Sequence, residues 1–156
     1  MQPDIKSEPI SSQPKAVATM KEGGNKNALN REIGEDGKRD WSFGVFDCFP
    51  RCRLCLCATF CPCIVYGQNK QRLRHLKKRG VPLPGGGGRV NQDCRAYCCM
   101  LPCFYWVFEM GTRTEIRRRY DIRGEDLEDC LHSMYCHGCA LTQERRELEL
   151  EEASFS

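Results

Sequence analysis

The feature that most constrains this chain is the run Cys55-Leu56-Cys57-Ala58-Thr59-Phe60-Cys61-Pro62-Cys63, answered near the other end by Cys136-His137-Gly138-Cys139. Thiols this dense, set among apolar residues, must be buried, oxidised or coordinated, and each option dictates a different architecture. The 156 residues hold 13 cysteines, grouped as Cys48 to Cys63, Cys94 to Cys103, and Cys130 to Cys139. Met1 to Lys26 is polar and contains no apolar core of signal-peptide length, so the chain is expected not to be secreted and its thiols to sit in a reducing compartment. There a dense cysteine set points to metal or free thiolate before a disulfide framework, and the odd total agrees. Structural disulfides and inert buried thiols are the alternatives.

The length suits one small domain whose modest core needs a staple, which metal or disulfides would supply. Residues 1–40 carry Pro3, Pro9, Pro14, Gly23 and Gly24 among many Ser, Lys and Glu, with no aromatic residue, and read as a disordered tail. Order is expected to begin near Trp41. From Asp47 to Cys63 the apolar spacing is irregular and Pro50 and Pro62 each remove a donor, which predicts a folded loop of short turns. Pro62 suits the first position of a helix running to about Lys78, with Cys61 as its N-cap. Residues 80–93, with Pro82, Pro84 and Gly85 to Gly88, read as a flexible loop.

Beyond it, Tyr97, Leu101, Phe104, Tyr105, Phe108, Ile116 and Tyr120 recur at helical spacing, with a kink or break expected at Pro102. A last helix begins at the acidic residues Glu125, Asp126 and Glu128 and places Leu127, Leu131, Met134 and Tyr135 on one face. The charged segment after Gly138 leads into a tail at 151–156, and no strand ladder is evident. The fold class is therefore mostly α: about three helices with irregular cysteine-rich loops, over residues 41–150.

A tetrahedral soft-metal site needs four converging ligands, and two short-spaced pairs from distant parts of the chain supply them. Cys61 and Cys63 form one such pair, at a helix N-terminus whose dipole favours thiolate; Cys136 and Cys139 form the other, with Gly138 permitting the tight turn. Cys55 and Cys57 are supporting candidates, zinc or another soft divalent ion is the expected occupant, and other cysteine pairs at helical spacing leave a second metal or alternative pairings open. His132 and His137 are available as nitrogen ligands, and His75, among lysines and arginines, is expected at the surface. Catalysis is not supported: no cysteine has an assigned base and orienting carboxylate, and Cys136-x-x-Cys139 lacks the preceding βαβ pattern of a thioredoxin.

The apolar stretches Leu54 to Tyr66 and Tyr97 to Met110 are shorter than the roughly 20 residues a spanning helix needs. Each is followed by a basic block, Lys70 to Arg79 and Arg113 to Arg123, an order that suits a surface-lying segment. Lys77, Lys78, Arg117 and Arg118 are the candidate contacts to anionic headgroups or phosphates, a solvated helix face being the plainer reading. Nucleic acid is not an expected partner, because few aromatics stand beside these arginines.

Cys55-Leu56, four residues, then Cys61-Pro62-Cys63 resembles the motif of the cysteine-rich family that includes placenta-specific eight (onzin), cornifelin, plant cadmium-resistance proteins and the fruit-weight or cell-number regulators. Gly67 follows it; Arg117, Tyr120, Ile122 and Gly124 look like the family's Arg-x-x-Tyr-x-Ile-x-Gly stretch; Asp129 precedes Cys136-x-x-Cys139-x-Leu141-x-Gln143, with Glu144, Arg145 and Glu147 behind. The similarity covers about Trp41 to Leu150. It implies a small membrane-associated protein, at the plasma membrane with cytoplasmic exposure, of a family not known as an enzyme class. Plant relatives are linked to heavy-metal resistance and export, as homo-oligomers, and to organ or cell number; animal relatives are linked to growth, differentiation and the cornified envelope. Two departures stand out: Leu56 where many members have cysteine, and Glu109 with a proline in the second apolar block, which argue against a pore-like role. A scaffold or regulator with purely structural metal or disulfides, and protein partners the sequence does not identify, is the second functional reading.

Overall fold

The computed structural model describes residues 24–100 and 103–155. Among these residues six α-helices follow a short 3-10 turn at Phe49–Arg51: α1 Cys52–Phe60, α2 Pro62–Arg79, α3 Gln92–Met100, α4 Tyr105–Arg119, α5 Asp126–Tyr135 and α6 His137–Ala153. Among the described residues the only β pairing is two isolated bridges, Ile33 with Arg39 and Arg39 with Ile122. The mostly helical expectation holds, with more and shorter helices than the sequence suggested.

Local chemistry explains the boundaries. Pro62 opens α2, and Gly80 closes it in the left-handed conformation at φ 66°, its N–H bonded to the Leu76 carbonyl at 3.1 Å. Lys77, Lys78 and Arg79 lie in that last turn, favourably placed on the helix dipole. α5 opens on Asp126, Glu128 and Asp129, as its acidic start implied. α3 ends at Met100 and α4 begins at Tyr105, while Pro102, where the break was expected, lies outside the described residues. In contrast, 52–60, expected to be looped, is helix α1: cysteine packs there as a small apolar residue, and only Ala58 is fully buried, so no periodic stripe marks it.

α2 and α6 form the spine. One apolar cluster joins Leu73 and Leu76 of α2 to Ile116, Tyr120, Ile122 and Leu148, with Trp41 packed on it. A second joins Val65 and Tyr66 to Ala58, Tyr97 and Leu141. Between the two lies a polar layer. Asn69, between Tyr66 and Leu73 along α2, donates to the Leu141 carbonyl at 3.0 Å and accepts from Arg145 Nε at 2.6 Å. Glu144, between Leu141 and Leu148 along α6, is fully buried and faces Arg113, whose Nη1 is 4.0 Å away. Arg113 also reaches Asp129 at 3.2 Å and lies over the Trp41 ring.

α6 is therefore surrounded, although its sequence is charged. Glu147 accepts from the buried Arg39 and from Ser42; Glu151 accepts from Arg119 at 2.7 Å and from the Tyr120 hydroxyl at 2.6 Å. This corrects two sequence boundaries. The 151–156 segment read as a tail begins inside α6, with Glu151 buried, and the tail assigned to 1–40 ends earlier, because Arg39 is 3% exposed and bound to Glu147. Residues 1–23 lie outside the described residues.

Two outcomes follow. A Cβ on Gly67 would sit 2.8 Å from the backbone nitrogen of Cys94 and 2.5 Å from Asn91 Oδ1, so Gly67→Ala must push α3 off α2. Denaturant unfolding should show a loss of about 1–3 kcal/mol, and unchanged stability would mean that the helices have room to separate. Burial pushes the Glu144 carboxyl up to about 8, against the pull of Arg113 and Lys70 and with the push of Asp129; burial, then Glu144 itself, also raises Glu109. A carboxyl raised on folding stabilises fully below its unfolded value near 4.5 and loses that contribution as pH climbs through about 8. Chemical unfolding from pH 5 to 9 should therefore show wild-type stability falling more than that of Glu144→Gln, and parallel profiles would refute the assignment.

Candidate thiol site

All 13 cysteines carry free thiols. The helix order divides the described contacts among them into two neighbourhoods. In the first, Cys48, just before the 3-10 turn, brings its Sγ to 3.6 Å from Cys139 Sγ in the first turn of α6. Cys136, the cap between α5 and α6, neighbours Cys139, and Cys55 of α1 neighbours Cys48, with Cys136 close by. Burial, then the surrounding thiols, raises the pKa of both Cys139 and Cys55. The second neighbourhood joins Cys63 of α2 to Cys94 and Cys98 of α3, and burial followed by Cys94 raises the Cys63 thiol.

The expected convergence of Cys61 and Cys63 with Cys136 and Cys139 is therefore not how the helices bring the thiols together. α1 lies against the start of α6, where a Cβ on Gly138 would come within 3.4 Å of Thr59 Cα. The chain then bends by 108° into α2, carrying Cys63 toward α3. Cys61 is left exposed at the bend, and Cys57 packs on the apolar cluster of Val65, Tyr66 and Tyr97. Cys136, Cys139 and Cys55 do share one place, joined by Cys48, which its sequence spacing had paired with Cys52 instead. Its signal was position: it is the first thiol after the aromatic onset at Trp41.

Fit to a soft metal is a matter of sulfur spacing. Zinc–sulfur bonds of about 2.3 Å in a tetrahedron hold neighbouring sulfurs about 3.8 Å apart. The Cys48–Cys139 separation of 3.6 Å is close to that, and far from the roughly 2.05 Å of a disulfide. Among the described residues, however, no three His, Cys, Asp or Glu side chains are already grouped to hold a metal. The pair is positioned and the other two thiols are near. His132 has its Nδ1 2.8 Å from the Glu128 carbonyl, within its own helix, and His137 packs edge-on against Tyr105.

The basic blocks are largely spent on carboxylates. Arg117, read as a headgroup contact, is 8% exposed and binds Asp126, Asp129 at 2.9 Å and the Gly124 carbonyl at 2.7 Å. Lys70 and Lys77 both reach Glu115, Arg74 pairs with Asp93, and the exposed Arg118 lies 3.8 Å from Asp126. Lys78 is exposed near the end of α2. Residues with opposite charge meet here because α4 packs on α5 and α2 packs on α3 and α4, pairings that charge runs along the sequence do not reveal.

The PLAC8 family model matches residues 41–147. The chain is 35% identical over 116 residues to Protein PLANT CADMIUM RESISTANCE 2 of Arabidopsis thaliana, covering 70% of this chain and 67% of the relative. It is 32% identical over 141 residues to Cornifelin homolog A of Xenopus laevis, covering 90% and 95% respectively, and 29% identical over 116 residues to Cell number regulator 10 of Zea mays, covering 74% and 69%. No solved structure matches. The matched span runs from the Trp41 that packs on Arg113 to the Glu147 that binds Arg39, and so takes in both thiol neighbourhoods: the chain belongs to the PLAC8 family.

Proposed function

We propose that the protein is a non-enzymatic, membrane-associated binder of a soft divalent ion such as zinc or cadmium, held by Cys48, Cys55, Cys136 and Cys139. The observation that carries this reading is the 3.6 Å approach of Cys48 and Cys139, from opposite ends of the domain, with Cys55 and Cys136 beside them. Thiols crowded under partial burial repel one another as thiolates, and a divalent cation of soft character removes that repulsion. Drawing the 3-10 turn, α1 and α6 onto one ion would supply the staple that a small core lacks. The names of three plant relatives refer to cadmium resistance, which accords with thiolate affinity for that metal.

A second reading keeps the metal as a structural staple only, in a protein that regulates growth through partners. The relatives named cell number regulators favour it. The two readings part on phenotype: a handling role predicts metal sensitivity on deletion, and a structural one does not.

Reduced protein loaded with zinc or cadmium should carry stoichiometric metal by elemental analysis, and metal should raise its melting temperature, since a ligand bound only by the folded state stabilises it. Cys136→Ser and Cys139→Ser should lose both metal and the thermal gain, whereas Cys61→Ser and Cys99→Ser should retain both. Full metal content in the Cys48→Ser/Cys139→Ser double variant would refute the site.

A further inference from the structure

Three helix breaks, between α1 and α2, between α3 and α4, and between α5 and α6, gather at one end of the molecule. Thr59 at the first break lies against Gly138 at the third. Tyr105, which opens α4 at the second, donates its hydroxyl to the Met134 carbonyl at 3.4 Å and packs edge-on against the His137 ring. Aromatic side chains protrude beside each break: Phe60 is 79% exposed, Phe104 59% and Tyr135 82%, with Phe49, Leu56 and Met134 also exposed nearby. Apolar side chains do not protrude together from an end that only water covers.

The charge pattern of the same end is one-sided. Residues 48–92, 94–108 and 130–143, which flank the three breaks, contain no Asp or Glu, while Arg53 and Arg95 are exposed among them. The carboxylates lie elsewhere, at Glu115, Asp121, Glu125, Asp126 and Glu128, and at Glu149, which pairs with Arg51 at 3.4 Å. An apolar, aromatic, acid-free surface with arginines among it complements the interface of an anionic bilayer. No single helix among the described residues is long and apolar enough to cross a membrane, and the pair that passes the test of length and composition together is bent by 108° at Cys61. The basic residues Lys77 and Lys78 stand about 25 Å along α2 from that bend, too far to touch the same interface.

We infer that the protein sits on one leaflet monotopically, with its three helix breaks dipping into the interfacial layer, and that the basic end of α2 points away from it. This rests on the membrane association proposed above and names the surface that carries it. The outward position of Cys61, Cys99 and Cys103 then becomes a consequence of depth, since exposed thiols at that end face lipid rather than water.

The test uses the full chain, reduced, with vesicles of phosphatidylcholine and phosphatidylserine. Phe60→Asp combined with Tyr135→Asp, both at exposed positions, should keep the circular dichroism of the wild type and weaken vesicle co-sedimentation by about tenfold or more. Lys77→Glu with Lys78→Glu should bind like wild type. Tryptophan placed by Phe60→Trp should shift to the blue on vesicles and be quenched by lipids brominated high on the acyl chain, a readout that does not depend on the aspartate variants. If the lysine variant loses binding and the aromatic variant keeps it, membrane association stands and this surface is wrong. Absence of wild-type binding to any vesicle overturns both readings. Labelling of Cys61 by a membrane-impermeant maleimide trapped inside the vesicles overturns the monotopic placement, as does a shift from oligomer to monomer in the aromatic variant without vesicle binding by the wild type.

Discussion

The structure depends on ionisable side chains buried along α6. A helix reading His137-Gly-Cys-Ala-Leu-Thr-Gln-Glu-Arg-Arg-Glu-Leu-Glu-Leu-Glu would ordinarily lie on a surface, yet Glu144, Glu147 and Glu151 are each at most 2% exposed. Each lies against its own guanidinium: Arg113 from the middle of α4, Arg119 from its end, and Arg39 from the segment before Trp41. Buried ion pairs add little net stability against an apolar alternative, but removing one partner strands the other in a low dielectric. Their effect here is to fix register. α6 meets α2 through Asn69 and Leu141 and meets α4 through Glu144 and Arg113, so sliding by a turn would orphan several charges together.

That fixed register positions the thiols. Cys136 and Cys139 stand at the start of α6, so wherever the ion pairs hold the helix, they hold these two sulfurs. The backbone around Glu147 performs the same service for the other side: Ser42, bonded to Glu147, leads within six residues to Cys48, and Gln143 binds the Phe43 carbonyl at 2.6 Å. Electrostatic anchoring at the middle of α6 is thus transmitted to a sulfur pair at its tip. The aromatic end lies beyond those sulfurs, so the thiol neighbourhood sits between a charged interior and an apolar exterior.

Much of this was legible in the sequence. Pro62 opens α2 by a rule that needs no tertiary context, and the acidic start of α5 did the same. The PLAC8 likeness was readable from ordered motifs, and Cys136 with Cys139 was readable as a pair. What was hidden shares one cause. α1 escaped notice because cysteine reads ambiguously between apolar and polar, so its pattern has no clear period. The burial of α6 and the neutralisation of Arg117, Lys70 and Lys77 depend on which distant carboxylates arrive, and no local spacing encodes that. The partner of Cys139 turned on the sharp bend at Cys61, which sends Cys63 one way and leaves Cys48 and Cys55 the other.

The Arg39–Glu147 pair bears on where the domain ends. The family match stops at Glu147 and starts at Trp41, two residues after its guanidinium partner. Arg39 also donates to the Lys26 carbonyl, and its backbone bridges Ile122. A recombinant fragment cut at the family boundary would keep the glutamate and discard the arginine, leaving an uncompensated anion in the interior. The smallest autonomous unit of this chain is accordingly larger than the span the family model matches, and the extra stretch lies as a strap across the helix that carries the sulfurs.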